Sequence, residues 1–307
     1  MFRRSLLAAA ALVLALSPAR AWSDLGHMTI AAAAWDLLTP PVRERVGRLM
    51  RLHPSFADWT RDAAKGEADR IAFVHAATWP DDIKKDPAYT DGTVGEDGAA
   101  ANLGFADHRR HRYWHTAGFP WSTDGTPGID PREPNALERL RLFRRALAAP
   151  GVSDEVKAYD LAWTIHLVGD VHQPAHTLSR FSKLFPHGDH VATKVLVTIG
   201  DKQKTLHAFW DDLLGGRGTP EKAIAAAERT LGGLRAAPPA DLDPAAWFEE
   251  GGTLARRWIY TAAIGDGPGP FALDEAYRRA ARDVADRRAA VAAARLAGLL
   301  NEALAAK

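Results

Sequence analysis

Between positions 166 and 176 the chain reads His-Leu-Val-Gly-Asp-Val-His-Gln-Pro-Ala-His. His166 and Asp170 are four residues apart, so a helix stacks them on one face. Tyr159 and Trp163 extend that face toward the N-terminus. Pro174 cannot continue a helix, so the chain turns just before it and His176 falls beyond the break. An imidazole and a carboxylate on adjacent turns, with a third ligand past a turn, suit a zinc ion or a pair of them. The plainer alternative is a His–Asp hydrogen bond inside a helical core. The spacing returns at Leu206-His207-Ala208-Phe209-Trp210-Asp211. Two such pairs in one chain favour a common site over two unrelated core contacts.

These residues need elements to position them. Ser153 has the chemistry of an N-cap, and Asp154 and Glu155 suit the first turn of the helix that carries His166 and Asp170. Positions 135 to 148 form a second strong helical segment. His27 opens an alanine-rich helix that runs to about Leu38 and stops at Thr39-Pro40-Pro41. The next helix, 41 to 52, turns Val46, Leu49 and Met50 inward and its arginines outward. Further helices are expected at 220 to 235, where Thr219 caps and Pro220 takes the first position, at 244 to 263, and at 273 to 305 with a break near Asp286. Positions 85 to 112 and 177 to 193 read as loops, the second carrying His187 and His190. Lys194 to Ile199 alternates, and Gly200-Asp201 supplies a turn, which predicts a small β-hairpin. The fold class is mostly α, a single multi-helix domain with one small hairpin.

Residues 1 to 21 have the pattern of an export signal: Arg3 and Arg4, an apolar run from Ser5 to Ser17, and the small-x-small site Ala19-Arg20-Ala21. Cleavage there makes Trp22 the first residue of a domain spanning 22 to 307. The apolar run is short for a membrane span, so no stable membrane anchor is expected. Without the three arginines of the leader, 36 basic residues face 38 acidic ones. A protein that coats duplex nucleic acid is usually basic, and this balance argues against that class. There is no cysteine, so packing and bound metal are expected to supply the stability that disulfides give other exported proteins. The only asparagines, at 102, 135 and 301, form no glycosylation sequon.

The segment His166-x-x-x-Asp170-x-His172-Gln-Pro-x-His176, followed by Leu-His207-x-x-Trp-Asp211, resembles the S1/P1 nuclease family. The similarity extends from Trp22 almost to the C-terminus. Family members are zinc-dependent, exported, mostly helical phosphodiesterases that share a fold with zinc phospholipase C. By this resemblance nine residues bind three zinc ions. Asp81, His115, His166 and Asp170 hold the first. Asp170 bridges to a second, held by His27 and by the free amine and carbonyl of Trp22. His176, His207 and Asp211 hold the third. Asp81 lies in Trp79-Pro80-Asp81, a match to the family's Trp-x-Asp, and also orients the attacking water; Asp82 is a surface neighbour. Lys84 stands where the family has a cation that stabilises the pentacovalent phosphorus, although lysine lacks arginine's planar fork. A solvated surface lysine is the ordinary alternative.

The resemblance implies a secreted or periplasmic hydrolase, a monomer, acting on single-stranded DNA or RNA to give 5′-nucleotides, with 3′-nucleotides as further substrates. A zinc phospholipase C and a periplasmic zinc-binding protein without turnover remain the alternatives. The phospholipases carry Glu where this chain has Asp211. The chain departs from the family pattern near the substrate. Thr116 and Gly118 replace a base-stacking aromatic and a base-binding acid. Gly188-Asp-His-Val-Ala-Thr replaces a Gly-Gly-Asn motif, and Asp212 replaces an Asn, which places an anion where it would repel phosphate. The run from His108 to Arg112 is either a solvated face or a patch that steers phosphate.

Overall fold

The protein is seen here as a computed structural model that describes residues 22–92, 102–234 and 241–305. The expected export signal at 1 to 21 and part of the loop at 85 to 112 lie outside the described residues. Helix α7, Asp154–Val171, is the axis of the structure. Its Ser153 cap accepts a hydrogen bond from the Val156 amide, as the sequence predicts. Tyr159 to Val171 is buried without interruption, so this helix is covered on all sides rather than on one stripe. Around it pack α1 (Asp24–Leu37), α2 (Pro40–Met50), α4 (Ala68–Ala76), α5 (Trp79–Asp82), α6 (Ala136–Ala148), α10 (Pro244–Leu254) and α11 (Glu275–Ala303). The short α3 (Phe56–Trp59) rests on α4.

Side-chain size explains the tight points. Ala31, Ala32, Ala33 and Ala34 of α1 are fully buried where it meets α9 (Pro220–Leu234) and α11, because methyl-sized side chains let helix axes approach closely. The opposite is true around Trp163, whose ring lies against Trp79, Trp114, Tyr159 and His115. Truncating a buried indole of this kind costs roughly 3–5 kcal/mol. Helix α6 begins with a complete capping box: Asn135 accepts from Leu137, and Glu138 accepts from the Asn135 amide.

The structure is mostly α, and it adds strands that the sequence did not announce. The expected hairpin is β3 (Leu196–Ile199) with β4 (Lys202–Thr205), and β5 (Phe271–Ala272) joins it in parallel beside β3. Segment 177 to 193 is not all loop: β2 (Leu178–Phe181) pairs in parallel with β1 (Phe119–Ser122), register Phe119 to Leu178. Four-residue strands carry too little alternation to be read from sequence. Helix α10 ends at Leu254 and passes into a π-turn, Ala255–Ile259. Helix α11 does not break at Asp286, since that side chain points to solvent and pairs with Arg282 one turn back at 3.1 Å. Among the described residues no helix is long and apolar enough to cross a membrane.

Candidate metal centre

Four helices and two short helical turns deliver the chemistry-bearing side chains to one buried region. The last two turns of α7 supply His166 and Asp170, and the turn after Pro174 supplies His176. The first turn of α1 supplies His27, and α5 supplies Asp81. The helical turn Arg112–His115 ends on His115, while α8 (Leu206–Asp211) carries His207 and Asp211. None of these eight residues is more than 4 % exposed. They form three groups of potential ligands, the first two sharing His166: His27, Asp81 and His166; His115, His166 and Asp170; His176, His207 and Asp211.

Asp170 joins two of the groups through opposite oxygens. Its Oδ2 lies 3.0 Å from His115 Nδ1 and 3.2 Å from His166 Nε2, and its Oδ1 lies 3.3 Å from His27 Nε2. His166 Nε2 and His115 Nδ1 are themselves 2.8 Å apart. Ligand atoms at ~2.0–2.1 Å around a tetrahedral zinc lie about 3.3 Å from one another, so this spacing is that of atoms converging on an ion. The third group is looser, with His207 Nε2 at 3.5 Å and His176 Nε2 at 3.9 Å from the Asp211 carboxylate.

Three of the histidines are oriented from behind. Nδ1 of His166 faces the Ala77 carbonyl at 2.7 Å, Nδ1 of His176 faces that of His115 at 2.9 Å, and Nδ1 of His207 faces that of Val191 at 2.6 Å. A carbonyl only accepts, so each Nδ1 carries a proton and each Nε2 faces the cluster. This is how proteins fix the tautomer of a metal-binding imidazole. Both ring nitrogens of His27, His115 Nε2 and Asp170 Oδ1 are buried without a hydrogen-bond partner among the described residues. Buried polar atoms are rarely left so unless an ion or ligand belongs there.

The electrostatics fit a cation as well. Burial, and then Lys84, push His115 down to about 3, and burial with His166 lowers His27. Both stay neutral, the state a metal takes. Burial works to raise Asp170, but the charge of His166 and the close approach of the His115, His166 and His27 ring nitrogens hold it well below the usual carboxylate range. Burial also lowers His166 in part, and the Asp170 charge overrides it upward. Asp81 follows the same pattern: burial opposes ionisation, and Lys84, His166 and His115 win. Asp211 is different. Burial drives it well above its ordinary value, and the Gln173 hydrogen bond only partly opposes this. A positive charge beside His176 and His207 is what would return Asp211 to its anionic form.

Lys84 is not a solvated surface charge. It is 7 % exposed, and its Nζ meets Asp81 Oδ1 at 2.6 Å. In the run from 108 to 112, His108 and Arg112 are exposed while His111 turns inward. His111 is buried in a left-handed turn, stacked 3.4 Å from Trp114 and bonded to Asp107 at 2.7 Å. Arg110 and Arg112 pair with Asp91, and Arg112 also holds the Lys84 carbonyl at 2.8 Å. Asp212 is not a bare anion either: Lys204 Nζ lies 2.6 Å away and Ser23 Oγ donates at 2.7 Å. At Gly118, an added Cβ would meet Ser179 Oγ at 2.4 Å and Val191 Cγ1 at 2.7 Å, so the space of the absent side chain is already filled.

Trp22 is fully buried, and its neighbour Ser23 donates its backbone amide to the Asp211 carbonyl at 2.9 Å. The start of the domain is thereby tied to the helix that bears His207 and Asp211. Two residues escaped the sequence reading. Gln173 donates to Asp211 Oδ1 at 2.8 Å, and its carbonyl oxygen caps Ala175 at 2.6 Å. Gly169 lies against the His27 ring, where a Cβ would come within 2.6 Å of Nδ1. Their positions inside the 166 to 176 motif were the available signal. His172 of the same motif points away from the clusters, to Arg295.

A mostly helical protein that gathers buried histidine and aspartate groups able to hold metal is the class defined by this fold and site. The family model for S1/P1 nuclease matches residues 22–305, and the chain belongs to that family of nucleases. No curated protein matches it significantly.

Proposed function

We propose that the protein is an exported, zinc-dependent phosphodiesterase that hydrolyses single-stranded DNA or RNA to 5′-nucleotides and also removes 3′-phosphate from nucleotides. The observation that carries the reading is the Asp170 carboxylate, with His27 on one oxygen and His115 and His166 on the other. Trp22, His27, Asp81, His115, His166, Asp170, His176, His207 and Asp211 would hold three ions. Zinc, when bound, supplies a water of lowered pKa and positive charge for the phosphoryl oxygens.

The chain's own residues do the remainder. Asp81, kept ionised by Lys84, accepts a hydrogen bond from the attacking water and aims it. Lys84, fixed by that same contact and by Arg112 behind it, places one positive charge against the phosphate as negative charge builds in the transition state. Burial keeps His27 and His115 neutral, so these two do not compete for the proton that the water loses. Export would remove residues 1 to 21 and leave the Trp22 amine free beside α8, as a domain of residues 22 to 307 acting as a monomer.

Base recognition is weak in this reading. Thr116 offers no stacking ring, Ser179 and Val191 fill the space over Gly118, and base–aromatic stacking is worth ~1–3 kcal/mol per base. The test is a panel: single-stranded DNA and RNA homopolymers, a 3′-nucleotide and a choline phospholipid, each with protein of known zinc content. Comparable cleavage of several homopolymers by protein with three zincs is expected. Turnover of the phospholipid alone, or of nothing, would reject the reading.

A further inference from the structure

Three consecutive residues that are not glycine, His190, Val191 and Ala192, have φ of 52°, 53° and 68°. L-residues avoid this left-handed region, β-branched valine most of all. Such a run persists only where its surroundings over-determine it, and it tends to mark a functional constraint. Here the product of the strain is visible. The run turns the Val191 carbonyl to His207 Nδ1 at 2.6 Å and brings the Ala192 carbonyl to the His207 amide at 3.4 Å.

The buried Asp189 supplies the clamp. Its Oδ1 accepts from the Arg180 amide at 3.0 Å and from the Ala192 amide at 3.2 Å. Its Oδ2 accepts from the Tyr260 hydroxyl at 2.7 Å. Its own backbone amide bonds the Arg180 carbonyl at 3.0 Å. The Arg180 guanidinium lies over the Tyr260 and Phe185 rings and donates to the Gly265 carbonyl at 2.9 Å. From the other side, Ser179 Oγ takes the Val191 amide at 3.0 Å. Strand β2, the 260s segment and the left-handed turn are thus tied together through one carboxylate.

We infer that Asp189 is a positioning residue for the cluster of His176, His207 and Asp211: by holding the left-handed turn, it aims the Val191 carbonyl that fixes the tautomer and orientation of His207. The inference rests on the reading of that cluster as a metal site. Groups that orient a ligand from behind typically govern metal affinity by 10–100-fold, which sets the size of the effect.

The test compares Asp189→Asn, Asp189→Ala, Val191→Gly and the Asp189→Ala/Val191→Gly pair in the full exported domain. Zinc affinity is read by chelator competition, and the His207 tautomer by imidazole 15N resonances in zinc-free protein. Asparagine keeps an oxygen for the two backbone amides, so Asp189→Asn should stay within about threefold of the parent. Asp189→Ala should bind one of the three ions 10–100-fold more weakly, with the others unchanged, and His207 should lose its Nδ1 proton preference. Glycine adopts positive φ without penalty, so Val191→Gly in the alanine background should restore that ion. Wild-type affinity for all ions in Asp189→Ala, with only a lower melting temperature, would reduce Asp189 to a packing residue and overturn the inference. Wild-type protein that binds no ion at this cluster, yet shows the tautomer change between parent and Asp189→Ala, would remove the metal reading and leave the positioning role standing.

Discussion

Gly169→Ala is the sharpest single test of how closely α1 and α7 must approach. The added methyl would lie 2.6 Å from His27 Nδ1 and 2.9 Å from Cε1, against ordinary contact at 3.4 Å and beyond. The ring must therefore retreat by about 0.8 Å, while metal–ligand distances tolerate only about ±0.2 Å. Helix propensity works the other way, since alanine is preferred over glycine by ~1 kcal/mol in a helix interior. Overpacking costs ~1–3 kcal/mol. The two nearly offset, so the melting temperature of zinc-free protein should fall by only a few degrees. Function should suffer far more than stability. A displacement of this size at a ligand predicts loss of the ion shared by His27 and Asp170 and about a 100-fold fall in rate. Zinc content by elemental analysis, beside single-turnover cleavage of a short single strand, reads both. If Gly169→Ala keeps its full zinc content and its rate, then His27 is a core residue and the bridging role of Asp170 is wrong.

Asp170→Asn should be the most damaging of the carboxylate substitutions, because it removes a charge felt on both of its sides; zinc content and rate equal to the parent would count against the bridge. One extra glycine before Trp22 converts a terminal amine into an amide, a very poor ligand, so the extended protein should fold but bind about one zinc fewer. Equal zinc content with and without the glycine would leave Trp22 as a packing residue. Asp160 gives a pH test away from the metal cluster. Burial raises it to about 7, opposed by the Asn102 side chain that donates to both its oxygens. Its folded value exceeds its unfolded value of 3.8, so the native state holds the proton longer. Stability from this group is full below pH ~4, falls as pH rises to ~7 and is level above that, a loss of up to about 4 kcal/mol. Asp160→Asn should flatten that slope in urea titrations from pH 4 to 8; an unchanged slope would show that Asp160 ionises normally in the fold.

Much of the site was legible because its parts are local. The four-residue spacing of His166 with Asp170, and of His207 with Asp211, is a property of helical geometry, and Pro174 and Ser153 mark where the helix stops and starts. The mostly helical class followed from the same periodicity. Resemblance, rather than spacing, joined His27, Asp81 and His115 to these pairs, since nothing local connects positions so far apart. Only the tertiary structure decided what surrounds them. Lys84 could be read as a phosphate-facing cation or as a solvated surface charge; it is buried against Asp81, because α5 turns inward onto α7. His111 and Asp212 looked available; His111 is stacked on Trp114 and bonded to Asp107, and Asp212 is held by Lys204 and by the distant Ser23. The strands β1 and β2, the close approach at Gly169 and the left-handed turn after Asp189 arise from contacts between segments, and each depends on backbone positions that no short stretch of sequence specifies. Sequence encodes the candidate ligands and the helices that space them; the orientation of His166, His176 and His207 is set by carbonyls from other segments, which exist at those positions only once the chain has folded.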